Sequence, residues 1–111
     1  MRIITHDDGR CLTLRLMGEL DHAAAQTVMP GIEDAVEEYL PRRCVLDLTG
    51  VSFMDSSGIG MLLTSYKTMR FMGGTILVIH AGERMRRILT LSGLDKFIDI
   101  YQGLPRESNL I

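Results

Sequence analysis

Apolar and polar residues alternate over Cys11–Met17, where Leu12, Leu14 and Leu16 are separated by Thr13 and Arg15. A period of two predicts a strand with one buried face. A second strand-like run, Met1 to Thr5, precedes it across His6-Asp7-Asp8-Gly9-Arg10. Asp-Gly between two such runs predicts a hairpin. The period then lengthens. From His22 to about Tyr39 the chain is Ala-rich, with Ile32, Ala35, Val36 and Tyr39 at helical spacing and Glu33, Asp34, Glu37 and Glu38 on the opposite face. Asp21 is placed to cap this run. Pro30-Gly31 interrupts it, which predicts either a kink or two short helices with Pro30 opening the second.

Val45 to Leu48 reads as a buried strand, and Thr49-Gly50-Val51 as a turn away from it. A helix follows, opening at Asp55-Ser56-Ser57-Gly58 and closed by Gly73-Gly74, with Ile59, Leu62, Leu63, Tyr66 and Met69 as its inner face. Thr75 to Ile79 is a further buried strand. Glu83 to Leu91 is a helix with Met85, Ile88, Leu89 and Leu91 on its apolar side and Arg84, Arg86 and Arg87 mostly outside. Phe97 to Tyr101 is a last strand, and Gly103 to Ile111 is a weakly patterned tail expected to fray. Strands alternating with helices after a hairpin predict an α/β fold: a mixed, mostly parallel sheet with its first strand antiparallel, packed with helices, in one domain over residues 1–111.

Composition narrows the function. The 111 residues are 46% hydrophobic and 23% charged, as expected of an ordered globular chain. The net charge of −2 disfavours nucleic acid as a partner. No signal-peptide pattern is visible, and the apolar runs fall far short of the ~20 residues of a membrane span. The expectation is a soluble cytoplasmic protein with no membrane partner. Cys11 and Cys44 lack metal-site or redox spacing and read as buried free thiols.

Enzyme motifs are missing. Gly58-Ile59-Gly60 starts a dinucleotide fingerprint, but Leu63 stands where the third glycine belongs. There is no phosphate-binding GxxxxGK[ST] loop and no GxSxG elbow around Ser56 or Ser57. His6, His22 and His80 are scattered in sequence, although His22 could approach the Ser56 helix because both follow strand ends. Asp47 reads as a hydrogen-bonded structural carboxylate rather than a metal ligand. No catalytic residue, cofactor or metal is expected.

Asp55-Ser56-Ser57 places two hydroxyls in the first turn of a helix, behind an acidic cap. The first N–H groups of a helix lack internal partners, and that end is positive. Phosphorylation there is electrostatically tolerated and adds about two negative charges to the surface. Asp55 as N-cap puts Ser56 at the first helical position, facing solvent, while Gly58 and Gly60 keep the turn slim enough for another protein to approach. Two readings fit: a switch, or serines that simply start a helix well.

The chain resembles the STAS domain family, and within it the sporulation-type anti-sigma factor antagonists, or anti-anti-sigma factors. The resemblance rests on Gly18-Glu19-Leu20-Asp21-His22, on Val45-Leu46-Asp47-Leu48, and on Val51-Ser52-Phe53-Met54-Asp55-Ser56-Ser57-Gly58-Ile59-Gly60. It continues through Tyr66-Lys67, Gly73-Gly74 and Leu91-Ser92-Gly93-Leu94, covering about residues 1–102. It implies partner switching in transcription regulation. The unphosphorylated form would bind an anti-sigma factor that is also a serine kinase, releasing the sigma factor. Phosphorylation of Ser56 would end binding, and a phosphoprotein phosphatase would restore it. The implied partner surface comprises Asp21, His22, Asp55, Ser56, Ser57, Gly58 and Met61. The alternative is a STAS adaptor without a phosphoswitch in a transport or signalling complex. Pro30-Gly31 and the short tail, which lacks the pattern of a last helix, depart from the family.

Overall fold

The computed structural model describes residues 2–102. Its elements are β1 (Arg2–Asp7), β2 (Cys11–Leu20), α1 (His22–Tyr39), β3 (Arg43–Met54), α2 (Ser56–Phe71), β4 (Thr75–Ile79), α3 (Glu83–Leu91), a 3-10 turn (Leu94–Lys96) and β5 (Asp99–Tyr101). The five strands form one sheet in chain order, with β1 antiparallel to β2 and the remaining pairs parallel. This is the mixed α/β sheet expected from the alternation of periods. The expected tail, Gly103 to Ile111, lies outside the described residues.

Local chemistry explains the hairpin. Asp8 Oδ1 accepts from the backbone N–H of Cys11 at 2.8 Å and Asp7 Oδ1 from that of Gly9 at 3.2 Å, tying the turn to its own backbone. Leu12, Leu14 and Leu16 are fully buried, together with Leu20. They share one core with Leu46 and Leu48 of β3, Val78 of β4, and Val28, Leu62 and Leu89 from the three helices. Val45, Leu77 and Ile79 form a smaller apolar cluster on the opposite face.

Of the two arrangements expected around Pro30, α1 is the single helix with the proline inside it, not two short ones, and other expectations are corrected. Val28, Ile32, Ala35 and Val36, on both sides of the proline, are buried on one stripe, and that packing outweighs the local penalty. β3 does not turn at Thr49-Gly50-Val51 but runs to Met54. Register shifts around Met17–Gly18 in β2 keep the two strands paired, with Gly18 at φ 120°. The inner face of α2 is Gly58, Met61, Leu62, Ser65 and Met69, with Ile59, Leu63 and Tyr66 at its margin. Ser65 can be buried because its hydroxyl donates to the Met61 carbonyl at 2.9 Å. Finally, Leu91 points outward, 81% exposed, and β5 begins at Asp99 after a turn that leaves Phe97 exposed.

The remaining polar and thiol expectations lie in β2 and β3. Asp47 is buried, accepts from the Thr49 backbone N–H at 2.9 Å and from the Thr49 hydroxyl, and pairs with Arg15 Nε at 3.2 Å. Burial pushes its carboxyl upward, but the Thr49 bonds and Arg15 outweigh this and hold it below the ordinary carboxylate value. No group of three or more potential metal ligands occurs among the described residues. Cys44 is buried and its thiol is pushed up to about 12, whereas Cys11 is only half-buried.

Candidate functional site

The site is built at the C-terminal ends of two adjacent parallel strands, where α/β sheets gather ligands and partners. Leu20 and Met54 are register partners, and each is followed by an aspartate that caps a helix. Asp21 Oδ1 accepts from the Ala24 backbone N–H at 2.9 Å. Asp55 Oδ1 accepts from the N–H groups of Ser57 at 2.9 Å and Gly58 at 3.3 Å. Both aspartates have extended backbone geometry, as N-caps require. Two helix N-termini therefore open side by side on one surface.

Ser56 occupies the first position of α2. Its side chain is exposed, and its hydroxyl has no hydrogen-bond partner among the described residues. Ser57 is half-buried and turned toward α1, where its Oγ lies 3.2 Å from His22 Nδ1. The far ring nitrogen of His22 lies 3.2 Å from Gln26 Nε2. Sequence reasoning brought His22 near the serine helix but did not find this contact, which depends on the pairing of β2 with β3.

Asp21, His22, Asp55, Ser56 and Ser57 thus cluster. Gly58 and Met61 do not join them at the surface. Met61 is 4% exposed and belongs to the core, so its assignment to a partner-facing surface is corrected. Gly58 is also buried: a Cβ there would lie 2.6 Å from Met54 Cγ and 3.0 Å from the Leu20 carbonyl oxygen. Its missing side chain lets α2 sit close against the ends of β2 and β3, and does not hold a turn open for a partner.

A cavity of about 260 Å³ lies at the other end of α2, lined by Tyr66, Arg70, Thr75, Phe97 and Asp99 among others. It is remote in the fold from Ser56.

Comparison with known proteins gives the family and the fold. The STAS domain model matches residues 2–106. The chain is 38% identical over 92 residues to the anti-sigma F factor antagonist of Paenibacillus polymyxa, covering 83% of this chain and 79% of that protein. A crystal structure of an anti-sigma factor antagonist from Mycobacterium paratuberculosis superposes with a TM-score of 0.83 at 28% identity, over 93% of this chain and 86% of the other. The Bacillus cell fate determinant SpoIIAA in its phosphorylated form shares the fold, with a TM-score of 0.71 at 24% identity over 98% of this chain and 96% of the other. The chain belongs to the STAS domain family.

Proposed function

We propose that this protein is an anti-sigma factor antagonist whose binding is switched off by phosphorylation of Ser56. The observation that carries the reading is the setting of Ser56. It is an exposed hydroxyl without a hydrogen-bond partner among the described residues, in the first turn of α2 and beside the capped start of α1. The similarity to curated antagonists supports the same reading. In the unphosphorylated state the surface around Asp21, His22, Asp55 and Ser56 docks on an anti-sigma factor that is also a serine kinase. The sigma factor is thereby released, in the cytoplasm.

The chain is the substrate of phosphoryl transfer, not its catalyst. Nucleotide, metal and base come from the kinase. The product phosphate adds about two negative charges beside the Asp21 and Asp55 carboxylates. The α2 N-terminus stabilises that charge within the free protein. At a docked interface the same charge must be desolvated without a partner, which opposes binding. A phosphatase that removes the group restores the binding form.

Incubation of the chain with its host's anti-sigma factor kinase and ATP tests the reading by intact mass. Addition of one phosphate, reduced to a trace in Ser56→Ala, supports it. An unmodified chain that still binds partners would instead identify an adaptor without a phosphoswitch.

A further inference from the structure

Two serines stand side by side at the start of α2, and the fold treats them differently. Ser56 is exposed and without a hydrogen-bond partner among the described residues. Ser57 is half-buried, and its Oγ lies 3.2 Å from Nδ1 of His22, which reaches across from the start of α1. On the other side of the ring, Gln26 Nε2 lies 3.2 Å from His22 Nε2. With the Gln26 amide nitrogen oriented to donate to Nε2, the ring proton is assigned to Nδ1. In this arrangement Nδ1–H donates to Ser57 Oγ, engaging one of its two lone pairs and holding the oxygen against α1. Gln26 lies one helical turn after His22 on α1, and its contact with Nε2 orients the ring so that Nδ1 faces Ser57.

The geometry points to His22 as the residue that selects the acceptor: by holding Ser57 in a hydrogen bond to α1, it leaves Ser56 as the hydroxyl offered to the kinase. This rests on the phosphoswitch reading above and adds to it a specificity determinant on a different helix. In the transfer itself, a serine Oγ forms a bond to the γ-phosphorus of ATP and the bond from that phosphorus to the β,γ-bridging oxygen breaks. ADP leaves with the electron pair, and the hydroxyl proton passes to a base on the kinase. For Ser57 to enter this reaction its Oγ has to turn away from α1 toward the surface, whereas Ser56 is already exposed. His22 is a positioning residue and touches neither ATP nor the acceptor oxygen.

The test uses the full chain, the anti-sigma factor kinase of its host and Mg-ATP, with the modified serine located by tandem mass spectrometry. The readout is the share of phosphate on Ser57, which a general loss of folding or docking would not shift. In the parent chain all but a small share of the phosphate is on Ser56. In His22→Ala the Ser57 share rises by about fivefold, the equivalent of one hydrogen bond of ~1 kcal/mol. The rate of Ser57 phosphorylation rises by a similar factor between Ser56→Ala and the double variant Ser56→Ala/His22→Ala. His22→Asn, whose amide nitrogen can replace Nδ1–H, keeps the parent pattern.

An unchanged Ser57 share in His22→Ala overturns the inference. So does a fall, which would make His22 a base for Ser57 rather than its restraint. A rise in His22→Asn equal to that in His22→Ala overturns it too, since the hydrogen bond would then be irrelevant. A parent chain that takes up no phosphate overturns the phosphoswitch itself, and this is distinguishable because the variants are then equally unmodified.

Discussion

The backbone N–H of Asp55 donates to the carbonyl of Leu20 at 3.4 Å, joining the ends of β2 and β3 at the point where both strands give way to helices. This contact sets the spacing between the two capped helix starts. It also places the Leu20 carbonyl directly under Gly58. The candidate site and the core therefore share a wall, and substitutions on that wall act through packing before they act on a partner.

Gly58→Ala should destabilise the protein. The new Cβ would meet Met54 Cγ at 2.6 Å and the Leu20 carbonyl oxygen at 3.0 Å, and neither is the free end of a flexible side chain. Overpacking of this kind costs about 1–3 kcal/mol. Thermal melting followed by circular dichroism checks it, and Gly58→Arg should be worse. An unchanged melting temperature would return Gly58 to the partner-facing role.

Pro30→Ala should stabilise the protein. Pro30 lies inside α1, where it lacks the N–H that would bond the Gln26 carbonyl. Interior proline costs up to about 3 kcal/mol relative to alanine. A gain of each kcal/mol corresponds to a rise of roughly 4–8 °C in melting temperature. No rise would mean that α1 accommodates the proline without cost.

Asp47 should give acid sensitivity. Its carboxyl is held below the ordinary value of 3.8, so the unfolded chain takes up its proton first as pH falls. The stability it contributes is present above that value and is lost as pH drops through it toward the folded-state value. In Asp47→Asn this dependence disappears. Near neutral pH the variant should be weaker by about 1–3 kcal/mol, because Arg15 and Thr49 lose a charged acceptor. Urea unfolding of both proteins between pH 7 and pH 3 checks this, with the two curves converging below about pH 4.

Much of the frame is legible from neighbouring residues alone. The Leu12, Leu14, Leu16 alternation and the Asp7-Asp8-Gly9 turn specify the hairpin, and Asp21 and Asp55 announce their helices because a cap is a contact over two or three residues. What escapes is what distant parts decide. β3 continues through Gly50 only because a register shift in β2 keeps it paired. α1 runs through Pro30 because Val28 and Ile32 are both held in the core. The inner face of α2 includes Gly58, Met61 and Ser65, where small or flexible side chains let the helix settle against β2, β3 and α1, a choice a count of large apolar residues does not see. For the same reason Ser56 and His22 could be placed near one another by their strand ends, while the His22–Ser57 bond required the observed register.

The central claim is that charge at Ser56 ends partner binding without harming the fold. Titration of the anti-sigma factor with the parent chain, Ser56→Ala and Ser56→Asp, alongside their melting curves, tests it most directly. A carboxylate in the first turn of α2 is favourable by about 0.3–1 kcal/mol, so Ser56→Asp should melt at or slightly above the parent temperature. Its affinity should nevertheless fall by roughly a hundredfold, equivalent to ~2.8 kcal/mol, because the charge must be desolvated against a surface built for a hydroxyl. Ser56→Ala should bind like the parent and take up only a trace of phosphate, on Ser57. If Ser56→Asp binds as tightly as the parent, charge at this position is not the signal, and the phosphoswitch account is wrong.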